Sequence, residues 1–122
     1  MDNQKKIMVV DDNEHIRLLL KSLLESNGYE VILAEDGLEG MEKLRNETMD
    51  LILLDIRLPY VSGIGLIKIA KEHKPGIPII CMTGYGASPE TIAQEECVEM
   101  VFSKPFSNQE LLEAIRKLLG SG

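Results

Sequence analysis

The chain predicts an α/β domain built on a parallel sheet with helices on both faces. Three observations carry that prediction. Short apolar runs alternate with segments of helical periodicity, five of each. The runs are apolar at nearly every position, as strands covered on both faces must be. Two of them, Ile7-Met8-Val9-Val10 and Leu51-Ile52-Leu53-Leu54, are cut off sharply by aspartate.

Taken in order, Ile7 to Val10 is the first strand, closed by Asp11-Asp12. Ile16, Leu19, Leu20, Leu23 and Leu24 then repeat with the spacing of one helix face. Asp12 or Asn13 can cap this helix, and Gly28 is placed for a left-handed cap at its other end. Tyr29 to Ala34 alternates in part, which predicts a sheet edge. Asp36-Gly37 reads as a turn, and Leu38, Met41 and Leu44 carry a short amphipathic helix.

Leu51 to Asp55 is the third strand, and Pro59 forbids its continuation. A loop to Gly63 leads into a helix holding Ile64 and Ile67, which ends in the basic run Lys71-Glu72-His73-Lys74. Ile77 to Met82 is the fourth strand, with Pro78 tolerated only at its start. Ser88-Pro89 opens a weakly amphipathic helix containing Ile92, Ala93 and Cys97. Met100-Val101-Phe102 is the fifth strand. Ser107-x-x-Glu110 is a capping box ahead of a last helix carrying Leu111, Leu112, Ile115, Leu118 and Leu119.

Composition narrows the function. Thirteen basic and twenty acidic residues leave a net charge of -7, which disfavours nucleic-acid backbone and anionic membrane as direct partners. There is no Trp, so the core must be aliphatic. Cys81 and Cys97 fit no metal spacing, and Cys81 sits in an apolar run as a small core residue. The start of the chain, Met1 to Lys6, leads into only a few apolar residues, too few for a signal peptide or a membrane span. A reducing cytoplasm is the expected setting. Residues 1–122 are expected to form one domain.

The chemistry gathers where strands end. In an open parallel sheet, ligands bind beyond the carboxyl ends of the strands. Asp11, Asp12, Asp55, Thr83 and Lys104 all stand at such ends. Each has a plain structural explanation. Asp11 and Asp55 fit solvated strand ends, Asp12 a helix cap, Thr83 the start of a turn and Lys104 a surface cation. Five such coincidences at one end of the sheet are a poor explanation of the set. If the first and third strands are neighbours, three carboxylates share one crevice. A hard divalent cation with oxygen ligands, Mg²⁺ above all, relieves that repulsion. Asp55 can then attack phosphorus to give an aspartyl phosphate. Cation, Lys104 ammonium and Thr83 hydroxyl would serve the phosphoryl oxygens.

These motifs, in this order and spacing, resemble the receiver domain of two-component response regulators. The likeness runs from Lys6 to Leu119. It rests on Asp11-Asp12, on Leu53-Leu54-Asp55 with Leu58-Pro59-x-x-x-Gly63 behind it, on Met82-Thr83-Gly84-Tyr85-Gly86 and on Lys104-Pro105-Phe106. The resemblance implies a three-layer flavodoxin-like fold with strand order 2-1-3-4-5. Asp55 would accept a phosphoryl group from a histidine kinase or a histidine phosphotransfer protein. Asp11, Asp12, the Asp55 carboxylate and the Arg57 backbone carbonyl would hold Mg²⁺. Thr83 and Lys104 would each engage a phosphoryl oxygen, and the Lys104-Pro105 bond would be cis. Such a domain catalyses its own phosphorylation and dephosphorylation and is not a turnover enzyme. It switches a downstream effector, or an output domain lying outside this chain.

The chain departs from the family in places. Val101 stands where an aromatic residue or His is usual, three positions before Lys104, which predicts altered coupling between phosphorylation and the neighbouring surface. Phe102 beside it should face the other side of the strand. Cys97-Val98 replaces the usual Gly-Ala. Arg57 and Tyr85 occupy positions that in the family tune hydrolysis. His15 reads as a surface residue near the crevice, and His73 as a helix-end cation.

A Mg²⁺-dependent phosphohydrolase with an Asp nucleophile is the alternative. It would need an acid/base carboxylate two residues beyond Asp55, and Arg57 is there. An FMN-binding domain is disfavoured because Asp11-Asp12 would repel the phosphate, and no P-loop motif occurs.

Overall fold

Strand β1 (Lys6–Val10) runs through the interior, with every residue after Lys6 buried. The computed structural model describes residues 4–55, 63–83, 100–103 and 107–120. After β1 come α1 (Glu14–Ser26), β2 (Glu30–Ala34), α2 (Gly37–Asn46), β3 (Leu51–Asp55), α3 (Gly63–His73), β4 (Ile79–Thr83), β5 (Met100–Ser103) and α4 (Asn108–Leu119). All five strands lie in one parallel sheet, in the order β2-β1-β3-β4-β5. This is the predicted flavodoxin-like arrangement. The helix expected from Ser88 falls outside the described residues.

The sheet divides two apolar layers, because successive residues of a strand face opposite sides. Met8, Val10, Ile52, Leu54, Ile79 and Cys81 pack with Leu44, Leu66 and Ala70, under α2 and α3. Ile7, Val9, Leu51, Leu53, Ile80 and Met82 pack with Leu20, Leu24, Leu111 and Ile115, under α1 and α4. Phe102 lies in this second layer, committed to that side of β5 as expected.

The helix ends follow local chemistry. Asn13, not Asp12, caps α1 and accepts from the Ile16 amide at 3.2 Å. At the other end Gly28 takes a φ of 90°. Its amide donates to the Glu25 carbonyl, and the Tyr29 amide to the Leu24 carbonyl. Those paired bonds form a Schellman closure, which turns the chain back into β2. Asp36 is more than a turn residue, since its carboxylate caps α2 through the Glu39 amide at 2.8 Å. Ser107 caps α4 through Glu110.

Some sequence expectations shift. Leu19 and Leu38 were placed on apolar stripes, yet both are exposed, as is Leu18. In α2 the buried face is centred on Gly37, Gly40 and Leu44. Lacking a side chain, Gly40 lets the helix press onto its neighbours; a Cβ there would meet Leu66 Cδ2 at 3.1 Å and Val10 Cγ1 at 3.4 Å. Pro78 lies just before β4, where its carbonyl accepts from the Ile52 amide.

At the amino-terminal ends of β1 and β3 the strands are tied by Asp50. The Lys6 amide donates to Asp50 Oδ2 at 2.8 Å, and the Asp50 amide donates to the Lys6 carbonyl at 2.7 Å. The carboxylate thus continues the ladder beyond the last strand pair. Asp50→Ala is expected to lower unfolding free energy by about 1–2 kcal/mol, the cost of a charge-assisted bond whose amide donor is left without that partner. Urea titration followed by circular dichroism measures it.

Candidate functional site

Val10 pairs with Leu54 across β1 and β3, so Asp11 and Asp55 come next, side by side. The Asp11 amide donates to the Ala34 carbonyl at 3.1 Å, which carries the β1–β2 ladder one residue further. In the alternation of their strands both aspartates fall on the face covered by α1 and α4. They are also the buried charged residues among those described, Asp11 at 0% and Asp55 at 6% exposure. Two apolar runs thus deliver two carboxylates to the same shielded place.

Asp12 completes the group from the start of the β1–α1 loop, and it is exposed. One carboxylate oxygen from each of Asp11, Asp12 and Asp55 lies within 4.8 Å of the other two. Magnesium binds oxygen at about 2.1 Å, so ligands on opposite sides of the ion stand ~4.2 Å apart. The three oxygens thus stand close enough together to share one such ion. Among the described residues the donor set is hard anionic oxygen without sulfur or imidazole, which fits a hard divalent cation.

The loop is held by its own polar groups. The Asn13 amide donates to Asp11 Oδ1 at 2.9 Å, and the Asn13 side chain caps α1. Arg17, one turn into α1, donates from Nη1 to the Asp11 backbone carbonyl at 2.7 Å. Its Nη2 lies 3.9 Å from Glu35 Oε2, just past β2. The sequence reading passed over Arg17. The available signal was a cation three and seven residues before Leu20 and Leu24, in the buried stripe of an amphipathic helix.

Of the other expected site residues, Thr83 closes β4, one position beyond the Asp55–Met82 pair and opposite Ser103 of β5. Its backbone therefore reaches the same edge of the sheet as Asp55. Lys104 and Arg57, with Tyr85 and Cys97, fall outside the described residues. His15 is exposed on α1, and His73 is exposed in the last turn of α3.

A doubly wound parallel sheet with an acidic cluster at the carboxyl ends of β1 and β3 makes a crevice suited to a divalent cation and a phosphoryl group. The response regulator receiver domain family matches residues 7–116, and the chain belongs to that family. Among its relatives is the polar-differentiation response regulator DivK of Brucella ovis. It is 39% identical over 120 residues, covering 95% of this chain and 97% of that protein. A CheY-like receiver domain protein from Methanospirillum hungatei superposes with a TM-score of 0.90 at 35% identity, over 96% of this chain and 94% of that one. The response regulator TrrA of Thermotoga maritima, solved in complex with Mg(2+)-BeF, gives 0.84 at 35% identity, over 95% and 100%.

The chain is thus a phosphoacceptor receiver domain of two-component signalling, and domains of this family are signalling modules that work with histidine kinases and downstream effectors. The family assignment lends no support to the phosphohydrolase alternative. No helix of the described residues is long and apolar enough to cross a membrane.

Crowding three like charges costs stability until a cation joins them. Asp12→Asn is expected to raise the thermal midpoint in metal-free buffer and to blunt the further rise that MgCl₂ gives the native protein. Calorimetry with and without MgCl₂ checks both signs.

Proposed function

We propose that Asp55 is the phosphoacceptor and that Asp11, Asp12 and Asp55 hold Mg²⁺, helped by the Arg57 backbone carbonyl. The observation that carries this reading is the meeting of three carboxylate oxygens within 4.8 Å at the ends of adjacent strands. A lone buried aspartate would be a poor nucleophile toward a phosphoryl group, because anion would meet anion. Bound there, Mg²⁺ would supply the opposing charge for the incoming phosphoryl oxygens.

The chain's own residues do the rest. Asp55, held at the end of a wholly buried strand, presents a carboxylate oxygen in a fixed direction. That oxygen attacks phosphorus as the bond from phosphorus to the donor breaks, leaving a mixed anhydride on Asp55. Thr83 hydroxyl donates to one phosphoryl oxygen, and Lys104 ammonium pairs with another. Water later attacks the same phosphorus, its bond to the Asp55 oxygen breaks, and inorganic phosphate leaves as the carboxylate is regenerated. The domain thereby catalyses its own phosphorylation and dephosphorylation.

In this reading residues 1–122 form one receiver domain. A histidine kinase or histidine phosphotransfer protein in the cytoplasm donates the phosphoryl group. The recipient of the signal is an effector protein or an output domain outside this chain. Val101, in place of the usual ring, leaves the switch to other contacts.

Incubation with acetyl phosphate and MgCl₂, followed by intact mass spectrometry at neutral pH, should add one base-labile phosphoryl group per chain. Asp55→Asn should add none, and EDTA should abolish the gain in the native protein. Unchanged labelling of the variant would move the acceptor elsewhere.

A further inference from the structure

We propose that Arg17 is a positioning residue for the cation site, setting the separation of Asp11 and Asp12 through the main chain. The proposal rests on the reading that Asp11, Asp12 and Asp55 hold a divalent cation. Its observation is separate: a guanidinium with its side chain only 13% exposed spends a 2.7 Å bond on a backbone carbonyl at the edge of an acidic cluster. Among the described residues its carboxylate partner, Glu35, stays 3.9 Å away and is 65% exposed. Glu35 is steadied in turn, its amide donating to Glu39 Oε1 at 2.7 Å.

The peptide between Asp11 and Asp12 is planar, so whatever holds the Asp11 carbonyl also fixes the amide and Cα of Asp12. The peptide before it is pinned too, by the Asp11 amide on the Ala34 carbonyl. The Asp11 carboxylate is oriented by the Asn13 amide. Asp12 has none of these side-chain restraints among the bonds described, and it is exposed. The direction in which Asp12 leaves the strand is therefore set by the peptide plane that Arg17 holds.

Charge and position act in opposite directions here, which makes the idea testable by sign. A guanidinium near a cation site repels the cation, so if Arg17 acted by charge alone its removal would tighten metal binding. If it acts by holding the peptide, removal loosens Asp12 and weakens binding, although one positive charge has been lost.

The probe is Mn²⁺ alone, titrated into unphosphorylated protein and read by electron paramagnetic resonance. Arg17→Met keeps the apolar stem and removes charge and donors; it is expected to weaken Mn²⁺ binding about 10-fold, the scale seen when a group that orients metal ligands is lost. Arg17→Lys, with one donor head in place of the planar fork, should fall between the two. Asp50→Ala, at the far end of the strands, should leave Mn²⁺ affinity at the native value. Equal or tighter binding by Arg17→Met overturns the proposal, as does an equal loss in Asp50→Ala, which would mark general loosening. If Arg17→Met does not fold, Arg17→Lys decides: weaker binding than native supports the proposal, and equal or tighter binding overturns it. Native protein that binds no Mn²⁺ overturns the cation reading and this proposal with it. Native binding with an unaffected Arg17→Met overturns this proposal alone.

Discussion

Asp11 and Asp55 leave neighbouring strands at the same level, and the sheet gives them no way apart. Each follows four apolar residues that are completely buried, and those residues are paired one to one across the strands. Moving either carboxylate away would mean pulling apolar side chains out of two cores at once, at roughly 1.5–3 kcal/mol for each large side chain exposed. The repulsion between the aspartates is small beside that sum. Packing wins, and the charges stay together as a cluster able to hold a metal ion, which makes an ordered surround a structural demand.

The rest of the site answers that demand in stages. β2 takes the Asp11 amide, Asn13 takes its carboxylate and Arg17 takes its carbonyl. Asp12 is left on the exposed side, where a hydrated ion can arrive without unpacking anything. A buried half supplies fixed direction, and an exposed half supplies access. That division suits a domain that must take up a phosphoryl group.

Much of this was legible in the residues. β1 and β3 announce themselves because strands covered on both faces cannot hide polar residues, so the first charge marks the exit. The partial alternation from Tyr29 to Ala34 marked an edge strand, and β2 is one. Gly28 was readable as a cap because a left-handed residue at a helix end favours glycine. What escaped were the side-chain contacts to the main chain other than the helix caps. Arg17 and Asp50 each hold a backbone group, and a string of side chains does not display where carbonyls and amides will be. Part of the buried face of α2 escaped as well, since Met41 and Leu44 pack inward as read but Leu38 does not. That face is set by the missing side chain of Gly40, and an apolar count along the helix is blind to an absence.

β1 and β3 are party walls, each lining two separate interiors with alternate residues. Sliding one of them by a single residue would exchange the furnishings of the two rooms. The smallest shift that keeps each side chain in its own room is two residues, about 7 Å along the strand. That would carry Asp11 clear past Asp55. No smaller slip that keeps the layers intact lies between, so the acidic notch belongs to the native register alone and is either whole or lost.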